Sequence, residues 1–331
     1  MTNASEIIEP LISVVLPTYN VERYIENCLN SCAKQTLTNV EFIIVDDCGS
    51  DSSISIAEKF SIADSRFKIL RSTENVGTFR ARKKGVEQSN GKYILFLDPD
   101  DSLKHDALEK LYNQTRLESA DIIFYSVEIS PKQPITTLPR QLPKNNINPE
   151  TILKCIFQDT PNMSWGTPGK MYSKELAINA FEELSCIQER LTYAEDVLFL
   201  FVAAALSASC RSYPENLYIY NKNPESITEA TSTEAKLNHC RQIDTVIKYL
   251  LKLSKSPKLI LINGASLQAV VDRISRSLNS DKALMKRHLH DPTTGKSLYL
   301  KSVFCSYKFR RSHKDLIRIV LYISTFSKFK F

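Results

Sequence analysis

Three clusters of polar and acidic residues each follow an apolar, β-branched segment of the chain. The clusters occupy residues 17–20, 46–51 and 98–101. Ligands of open parallel sheets bind beyond the carboxyl ends of the strands, so we expect all three clusters at one edge of one sheet. This convergence is a stronger indication of function than any single cluster.

The third cluster, Asp98-Pro99-Asp100-Asp101, predicts a metal site. Two carboxylates separated by one residue can bind a hard divalent cation from one side, and Mg²⁺ or Mn²⁺ then keeps positions for water and phosphate oxygens. The alternative is a proline turn in which Asp101 or Ser102 caps the next helix. Because the other two clusters share the edge, we favour metal binding by Asp98 and Asp100.

The second cluster places Asp46 and Asp47 at the end of a buried strand, before a Gly-Ser turn. A carboxylate there can accept hydrogen bonds from a pyrimidine imide or a ribose. The alternative is an Asx turn in which Ser50 or Asp51 caps the following helix. Both interpretations can hold together, with Asp51 structural and Asp47 on a nucleotide.

A basic segment, residues 75–85, opens a predicted helix after the third strand. A helix N-terminus with several cations suits a diphosphate. The alternative is a solvated basic face, which we assign to Lys83 or Lys84. We take Arg82 as the functional cation.

The sheet that must position these residues is predicted from five apolar segments. They begin 25 to 29 residues apart and alternate with segments of helical period, at residues 11–16, 40–45, 67–70, 92–97 and 121–127. This spacing is typical of βαβ units, so we predict an α/β, Rossmann-like fold with a mostly parallel sheet flanked by helices. Prolines within residues 131–149 indicate a connector, and the pattern from about residue 231 onward is helical.

The composition is that of a folded protein, since the 331 residues are 43% apolar and 24% charged. No stretch approaches the roughly 18 uninterrupted apolar residues of a membrane-spanning helix. Residues 1–10 lack the features of a secretory signal, so we expect a cytoplasmic protein. None of the eight cysteines forms a C-x-x-C pair, which favours buried free thiols.

The C-terminal tail, residues 296–331, is strongly basic. It carries nine Lys or Arg and one acid, a charge of +8, so the rest of the chain carries −2 of the net +6. One interpretation is a basic amphipathic segment on the inner face of the cytoplasmic membrane, and the other is a terminal helix packed on the domain. No recognition module accompanies the charge, so we expect no nucleic-acid partner.

Residues 11 to about 127 resemble the nucleotide-binding half of the family 2 glycosyltransferases, which have the GT-A fold. The matching segments are SVVLPTYN, VEFIIVDDCGSD, NVGTFRARKKG and YILFLDPDD, in the family's order. The resemblance implies that the acidic pair Asp46 and Asp47 binds the nucleoside, usually uridine, and that Asp98 and Asp100 hold the metal. Two further residues match positions around the base, Pro17 and Tyr19.

The second half of the chain resembles the family's acceptor side. The family's Trp…Gly-Lys segment is matched by Trp165 and Lys170, and Trp165 is interpreted either as a platform for a sugar or as a core residue. The stretch that closes its donor site is matched by Tyr220 and Ser226, although Asn221 stands where relatives often carry arginine. These residues are therefore expected near the acceptor and the lid of the site.

Glu195-Asp196 resembles the family's Glu-Asp motif, in which the aspartate is the catalytic base. Thr192 stands three residues before Glu195, which is the spacing of a capping box. We therefore assign Glu195 mainly to structure and Asp196 mainly to chemistry.

The resemblance implies an inverting, metal-dependent glycosyltransferase. Its donor would be a UDP-hexose or a UDP-N-acetylhexosamine, and its acceptor a hydroxyl of a glycan or lipid-linked molecule in surface polysaccharide synthesis (LPS, O-antigen or capsule). The alternatives are a sugar nucleotidyltransferase, whose glycine-rich phosphate loop the first cluster lacks, and a noncatalytic nucleotide-sugar-binding protein.

We predict two regions along the chain. A GT-A domain covers residues 1–230, with a nucleotide-sugar-binding half at 11–127 and an acceptor-side half at 150–230. A helical region with the basic tail covers residues 231–331, and its helices could supply a homodimer surface.

Overall fold

A computed structural model of the chain describes residues 9–131, 149–158, 165–224, 226 and 232–287. The chain divides into two compact units, Met1–Ile152 with Ser164–Asn223 and Leu153–Met163 with Pro224–Phe331. Two features of the sequence lie outside the described residues, namely the boundary predicted at residue 230 and the basic tail.

The first unit is built on one eight-stranded sheet. The strands are β1 (Ile12–Thr18), β2 (Val40–Asp46), β3 (Phe67–Arg71), β4 (Tyr93–Phe96), β5 (Ser102–Leu103), β6 (Ile122–Ser130), β7 (Lys170–Ser173) and β8 (Cys210–Asn221). They lie side by side in the order β3-β2-β1-β4-β7-β6-β8-β5.

Helices follow most of the strands. In chain order up to β8 they are α1 (Ile25–Ala33), α2 (Ser53–Ala63), α3 (Thr78–Glu87), α4 (Ala107–Leu117), α5 (Pro149–Phe157), α6 (Lys174–Glu183) and α7 (Glu195–Leu206). The described part of the second unit contains α8 (Thr233–Leu253), α9 (Pro257–Asn263) and α10 (Ser266–Arg287), of which α8 and α10 pack against each other. The helical pattern predicted after residue 231 is confirmed for these residues.

Four neighbouring strands, β3, β2, β1 and β4, are parallel, as the spacing predicts. Beyond β4 the sheet is mixed, because β7 is antiparallel to β4 and β6, β8 is parallel to β6, and β5 is antiparallel to β8. The α/β fold is confirmed, but the fifth predicted strand, β6, does not lie beside β4. Strand β7 separates them, and the sequence analysis missed it because four residues are too few to show a period.

The centre of the parallel half of the sheet is buried on both faces, since every residue of β1 and β2 is buried, whereas in the edge strand β3 only Phe67 is buried. Helix α3 lies close against it, because a Cβ atom on Gly85 would overlap the side chain of Val15. Arg82 stands one helical turn before Gly85 and therefore faces the same side. The packing of α3 thus turns Arg82 towards the end of the sheet.

Two interpretations of helix starts are not met, namely the alternative in which Asp101 or Ser102 caps a helix and the capping box at Glu195. The helix after the third cluster begins at Ala107 with Asp106 as N-cap, so neither Asp101 nor Ser102 caps it. Helix α7 begins at Glu195 itself, and Ala194 is its N-cap, so the predicted capping box does not form. The side chain of Asp101 binds Tyr218 and the backbone of Asn221, and that of Glu195 binds Arg82.

The seven described cysteines are free thiols, of which five are buried, Cys186 is partly buried and Cys48 is exposed. The prediction of free thiols is confirmed for these residues. The prediction that they are buried is wrong for Cys48, which lies in the turn after β2, and holds only in part for Cys186. Among the described residues, no helix combines the length and the apolar character needed to cross a membrane.

Candidate active site

Arg82 is the central side chain of the site because it contacts three separated segments. Its Nη1 donates to Glu195 Oε1 at 2.9 Å, and its Nη2 donates to Asp98 Oδ1 at 2.8 Å and to Thr167 Oγ1 at 3.1 Å. Burial disfavours the charge of Arg82, but the carboxylates of Asp98, Glu195 and Asp196 outweigh burial and raise its pKa. The guanidinium is therefore a fixed charge that joins the loop after β4 to the start of α7.

Asp196 follows Glu195 in the first turn of α7, so the same contact brings it to the site. Asp196 Oδ1 accepts a hydrogen bond from Val197 N at 2.9 Å. Burial and then the charge of Glu195 raise the pKa of Asp196 to about 7, while Arg82 and Lys170 act to lower it. A carboxylate with a pKa near neutrality is suited to accept a proton in the pH range where enzymes operate.

Lys170 holds the loop that borders Asp196. Its buried ammonium group donates to the carbonyl oxygens of Gly166 and Pro168, the latter at 3.3 Å. Burial lowers the pKa of Lys170 to about 8, and the charge of Asp196 opposes this shift. Gly166 lies near Asp196, because a Cβ atom added to Gly166 would be 3.7 Å from Asp196 Oδ2. The neighbouring Trp165 is partly buried.

Asp101 anchors the third cluster to the sheet. Its Oδ2 accepts a hydrogen bond from the Tyr218 hydroxyl at 2.6 Å, and its Oδ1 accepts one from Asn221 N at 2.8 Å. Burial, with the charges of Asp98 and Asp100, raises the pKa of Asp101 to about 8. Asn221 is therefore bound to the loop that carries the third cluster.

Asp98 and Asp100 fit a divalent cation as a pair. Arg82 binds one oxygen of Asp98, whose side chain is 28% exposed, and Asn223 Nδ2 donates to Asp100 Oδ2 at 2.9 Å. Burial and then the charge of Asp98 raise the pKa of Asp100, so the two carboxylates repel each other, and a cation between them would relieve this. In the described part of the chain, no three His, Cys, Asp or Glu side chains cluster as a complete metal site. The remaining ligands would therefore be phosphate or water oxygens.

Asp47 binds the backbone at the start of α3. Its Oδ1 accepts a hydrogen bond from Val76 N at 2.7 Å, and its Oδ2 accepts one from Gly77 N at 3.0 Å. Burial raises the pKa of Asp47, and the two amides act to lower it. Gly77 has a φ of 82°, and a Cβ atom there would lie 2.9 Å from Leu191 O. Asp47 thus fixes the beginning of the helix that carries Arg82.

The first two clusters meet, as predicted, because β1 and β2 are parallel neighbours. Ser50 N donates to Asn20 Oδ1 at 2.8 Å. Asp51 has the structural role expected for it, since its carboxylate accepts hydrogen bonds from Ser53 N at 3.0 Å and Glu22 N at 2.8 Å. The loops after the two strands therefore form one surface.

Asp46, Pro17 and Tyr19 complete the predicted nucleotide site. Asp46 is engaged locally, because its Oδ1 accepts from Cys48 N at 3.0 Å and its Oδ2 lies 3.2 Å from Arg71 Nη1. Pro17 is buried within β1, whereas Tyr19 is 46% exposed at the end of that strand. The contact of these three residues with a nucleoside stays a prediction.

Tyr220 and Ser226, assigned to the lid, are both partly buried. Residue 225 and residues 227–231 lie outside the described residues, so the lid assignment stays a prediction.

Three contacts of the site have no counterpart in the sequence analysis. They involve Thr167 with Arg82, Asn223 with Asp100, and Arg190, whose Nε and Nη2 donate to Asn75 Oδ1 at 2.8 and 2.6 Å. Thr167 stands between Trp165 and Lys170, and Asn223 stands three positions after Tyr220, so both lie within or beside segments that resemble the family.

Acidic loops at the end of a parallel half-sheet, joined by an arginine to a second acidic pair, define a candidate transferase site. Residues 13–177 match the family described as Glycosyl transferase family 2. The uncharacterized glycosyltransferase EpsJ of Bacillus subtilis (strain 168) is 30% identical over 236 residues, which are 70% of this chain and 67% of that protein. The chain therefore belongs to glycosyl transferase family 2, as its motifs predict.

Two further comparisons extend this result. The putative teichuronic acid biosynthesis glycosyltransferase TuaG of B. subtilis (strain 168) is 34% identical over 153 residues, which are 45% of this chain and 61% of that protein. The crystal structure of Staphylococcus aureus TarS 1–349 in complex with UDP-GlcNAc superposes with a TM-score of 0.62 at 20% identity, over 96% of this chain and 88% of that one. The GT-A fold is thereby confirmed.

Proposed function

We propose that the protein is an inverting glycosyltransferase that moves a hexose or N-acetylhexosamine from a UDP-sugar to a hydroxyl of a glycan or lipid-linked acceptor. The observation that carries the proposal is the contact of Arg82 with both Asp98 and Glu195, because it links the donor-side carboxylates to the residue before Asp196. Membership of family 2 favours sugar transfer over the nucleotidyltransferase alternative.

Asp196 is the proposed general base. With a pKa of about 7, it is substantially ionised near neutral pH and can accept the proton of the acceptor hydroxyl as that oxygen attacks the anomeric carbon. Such a base is typically worth about 10²–10⁴ in rate. A base opposite the leaving group gives a single displacement, so an α-linked donor would yield a β-linked product.

Asp98 and Asp100 are the proposed holders of Mg²⁺ or Mn²⁺, which when bound supplies positive charge to the departing diphosphate. Arg82 fixes the orientation of Asp98 and is proposed to face the diphosphate from the same side. The N-terminus of α3, held by Asp47, adds backbone donors suited to an anion. Binding donor and acceptor together supplies the orientation that a bimolecular reaction lacks.

The comparisons support a substrate class. TarS, which shares the fold, binds UDP-GlcNAc, so UDP-sugars are the first donors to test. TuaG is named for teichuronic acid biosynthesis, which supports an acceptor in surface polysaccharide synthesis. The basic tail is proposed to contact the inner face of the cytoplasmic membrane, where lipid-linked acceptors reside, and the helical region is proposed as the surface of a homodimer.

The test is an assay of UDP release from UDP-glucose, UDP-galactose and UDP-GlcNAc, with and without Mn²⁺. We expect metal-dependent release from one donor and, with an acceptor, a product of inverted anomeric configuration by NMR. A nucleotidyltransferase would instead consume a nucleoside triphosphate and release pyrophosphate. A noncatalytic binding protein would bind the sugar nucleotide and release no UDP, and either result would contradict the proposal.

A further inference from the structure

Helix α9 exposes an unusual run of large apolar side chains. Ile260, Leu261 and Ile262 are 44, 89 and 40% exposed, and Leu259 is the buried residue of this helix. Consecutive residues of an α-helix point about 100° apart, so three in a row cover more than half of its circumference. The helix therefore packs through Leu259 and presents most of its surface to the outside.

This run differs from the other exposed apolar residues of the described chain. Ile62 and Leu117 are 86 and 74% exposed, but each stands alone, and single exposed apolar residues are normal on protein surfaces. A contiguous apolar surface is unusual in a monomeric protein and marks an interaction site.

Three lysines precede the apolar run in the chain. Lys252, Lys255 and Lys258 are exposed and form no ion pair within the described residues, and the 27 positions between Asp244 and Asp272 contain no acid. Hydrogen bonds from Lys255 N to Lys252 O and from Ser256 N to Leu253 O keep the turn before α9 compact. Lys252 at the end of α8, Lys255 in the turn and Lys258 in α9 therefore all lie within ten positions of the apolar residues. We call the three lysines and residues 260–262 together the α9 surface.

We propose that the α9 surface docks on an anionic lipid bilayer. Apolar side chains at the tip of a short helix can enter the boundary between headgroups and acyl chains, while lysines beside them contact anionic headgroups. This proposal concerns the second unit alone and does not depend on the proposed reaction.

The positive charge of the α9 surface favours an anionic bilayer over three other occupants, namely a second copy of the chain, the C-terminal tail and a nucleic acid. A two-fold interface between two copies would place the α9 surface against itself, with lysines facing lysines. The C-terminal tail, with a charge of +8, is also repelled by these lysines. A nucleic acid would satisfy the lysines but would leave the three aliphatic side chains without a suitable contact.

The experiment uses the full chain in a flotation assay with vesicles of phosphatidylglycerol and phosphatidylethanolamine, and with vesicles of phosphatidylcholine alone. Leu261→Glu tests the apolar part, and Ile62→Glu is the matched control because Ile62 is equally exposed in the other unit. We expect the wild type and Ile62→Glu to float with the anionic vesicles only, and Leu261→Glu to lose at least about tenfold in partitioning.

A second set of variants tests the charge. Lys252→Gln/Lys255→Gln/Lys258→Gln should weaken binding to anionic vesicles by roughly a hundredfold, since each lysine near such a surface contributes measurably. The matched control neutralises three exposed lysines of the first unit, Lys34, Lys59 and Lys92, and should bind as the wild type does. Binding of the wild type should also weaken as salt is raised.

Three outcomes would overturn the proposal. In the first, the wild type fails to bind anionic vesicles. In the second, Leu261→Glu binds as well as Ile62→Glu does, and the membrane contact would then be assigned to the tail. In the third outcome, light scattering shows a dimer that Leu261→Glu dissociates while vesicle binding is unchanged, so that a second copy covers the surface.

Discussion

Arg82 Nη1 lies 2.9 Å from Glu195 Oε1, although 113 positions of chain separate the two residues. Both side chains are about 9% exposed, so the ion pair is almost fully withdrawn from water. Arg82 Nη2 binds Asp98, so Arg82 connects the candidate metal ligands with the Glu-Asp motif that contains Asp196.

The buried ion pair predicts strong energetic coupling between Arg82 and Glu195. Arg82→Met leaves two carboxylates without their partner, and breaking a buried pair in this way costs about 3–5 kcal/mol. The double variant Arg82→Met/Glu195→Gln should lose less than the sum of the two single variants. Urea unfolding followed by Trp165 fluorescence measures this, because Trp165 is the only tryptophan and lies in the first unit. Strictly additive losses would mean that the pair is not coupled.

Asn223 is predicted to position Asp100 for the metal. Asn223→Ala removes the donor that lies 2.9 Å from Asp100 Oδ2, and loss of such an outer partner typically costs about 10–100-fold in metal affinity. We expect the Mn²⁺ concentration for half-maximal UDP release to rise by that factor, with little change of the rate at saturating metal. Asn39→Ala is the control, because Asn39 donates only to Glu9 O on the surface. An unchanged metal requirement in Asn223→Ala would remove this role.

The pKa of Asp196 predicts the pH dependence of transfer. The base must be ionised, so the rate should rise as the pH increases through about 7 and level off above it. Glu195→Gln removes a negative charge that raises the pKa of Asp196, so the midpoint should move to lower pH. Initial rates from about pH 5 to about pH 9 measure both curves. A rate that does not change across this range, or a midpoint that moves upward in Glu195→Gln, contradicts the assignment.

Gly77 is predicted to be required for donor binding. Gly77→Ala places a Cβ atom on a residue with φ of 82°, within 2.9 Å of Leu191 O, and should displace the amide that Asp47 binds. Gly264→Ala is a matched control, since Gly264 also has a positive φ (56°) but has open space around it. Each substitution introduces backbone strain of about 1–3 kcal/mol. Isothermal titration should show weaker UDP binding in Gly77→Ala alone, and equal affinity in the two variants would contradict the role of this turn.

The parallel half of the fold could be predicted because its signals are local. Apolar segments at regular spacing identify β1, β2, β3 and β4, and parallel neighbours necessarily bring the ends of their strands to one edge. The meeting of Asn20 with Ser50 follows from that register. The second half could not be predicted in the same way, because β7 is four residues long and pairs with strands from distant parts of the chain.

The site shows the same division. Asp98, Asp100, Asp196 and Arg82 were singled out by motif. The contacts of Arg82 with Asp98 and Glu195, and that of Asn223 with Asp100, were not predicted, because they are made only in the folded chain. Thr167 and Asn223 are single polar residues in loops. Both stand within or beside segments that match the family, but nothing in the local sequence indicates which side chains they contact. The capping box at Glu195 failed for a related reason, since a buried arginine 113 positions away binds the side chain that the local pattern assigns to the helix end.

The central claim is that Asp196 takes the proton of the acceptor hydroxyl, and Asp196→Asn tests it most directly. One preparation should be used to measure both UDP-sugar affinity and the rate of transfer, with Asp106→Asn, a surface aspartate paired with Lys110, as control. We predict donor affinity within about twofold of the wild type and a transfer rate lower by at least about 10². A rate of transfer in Asp196→Asn equal to that of the control would contradict the account.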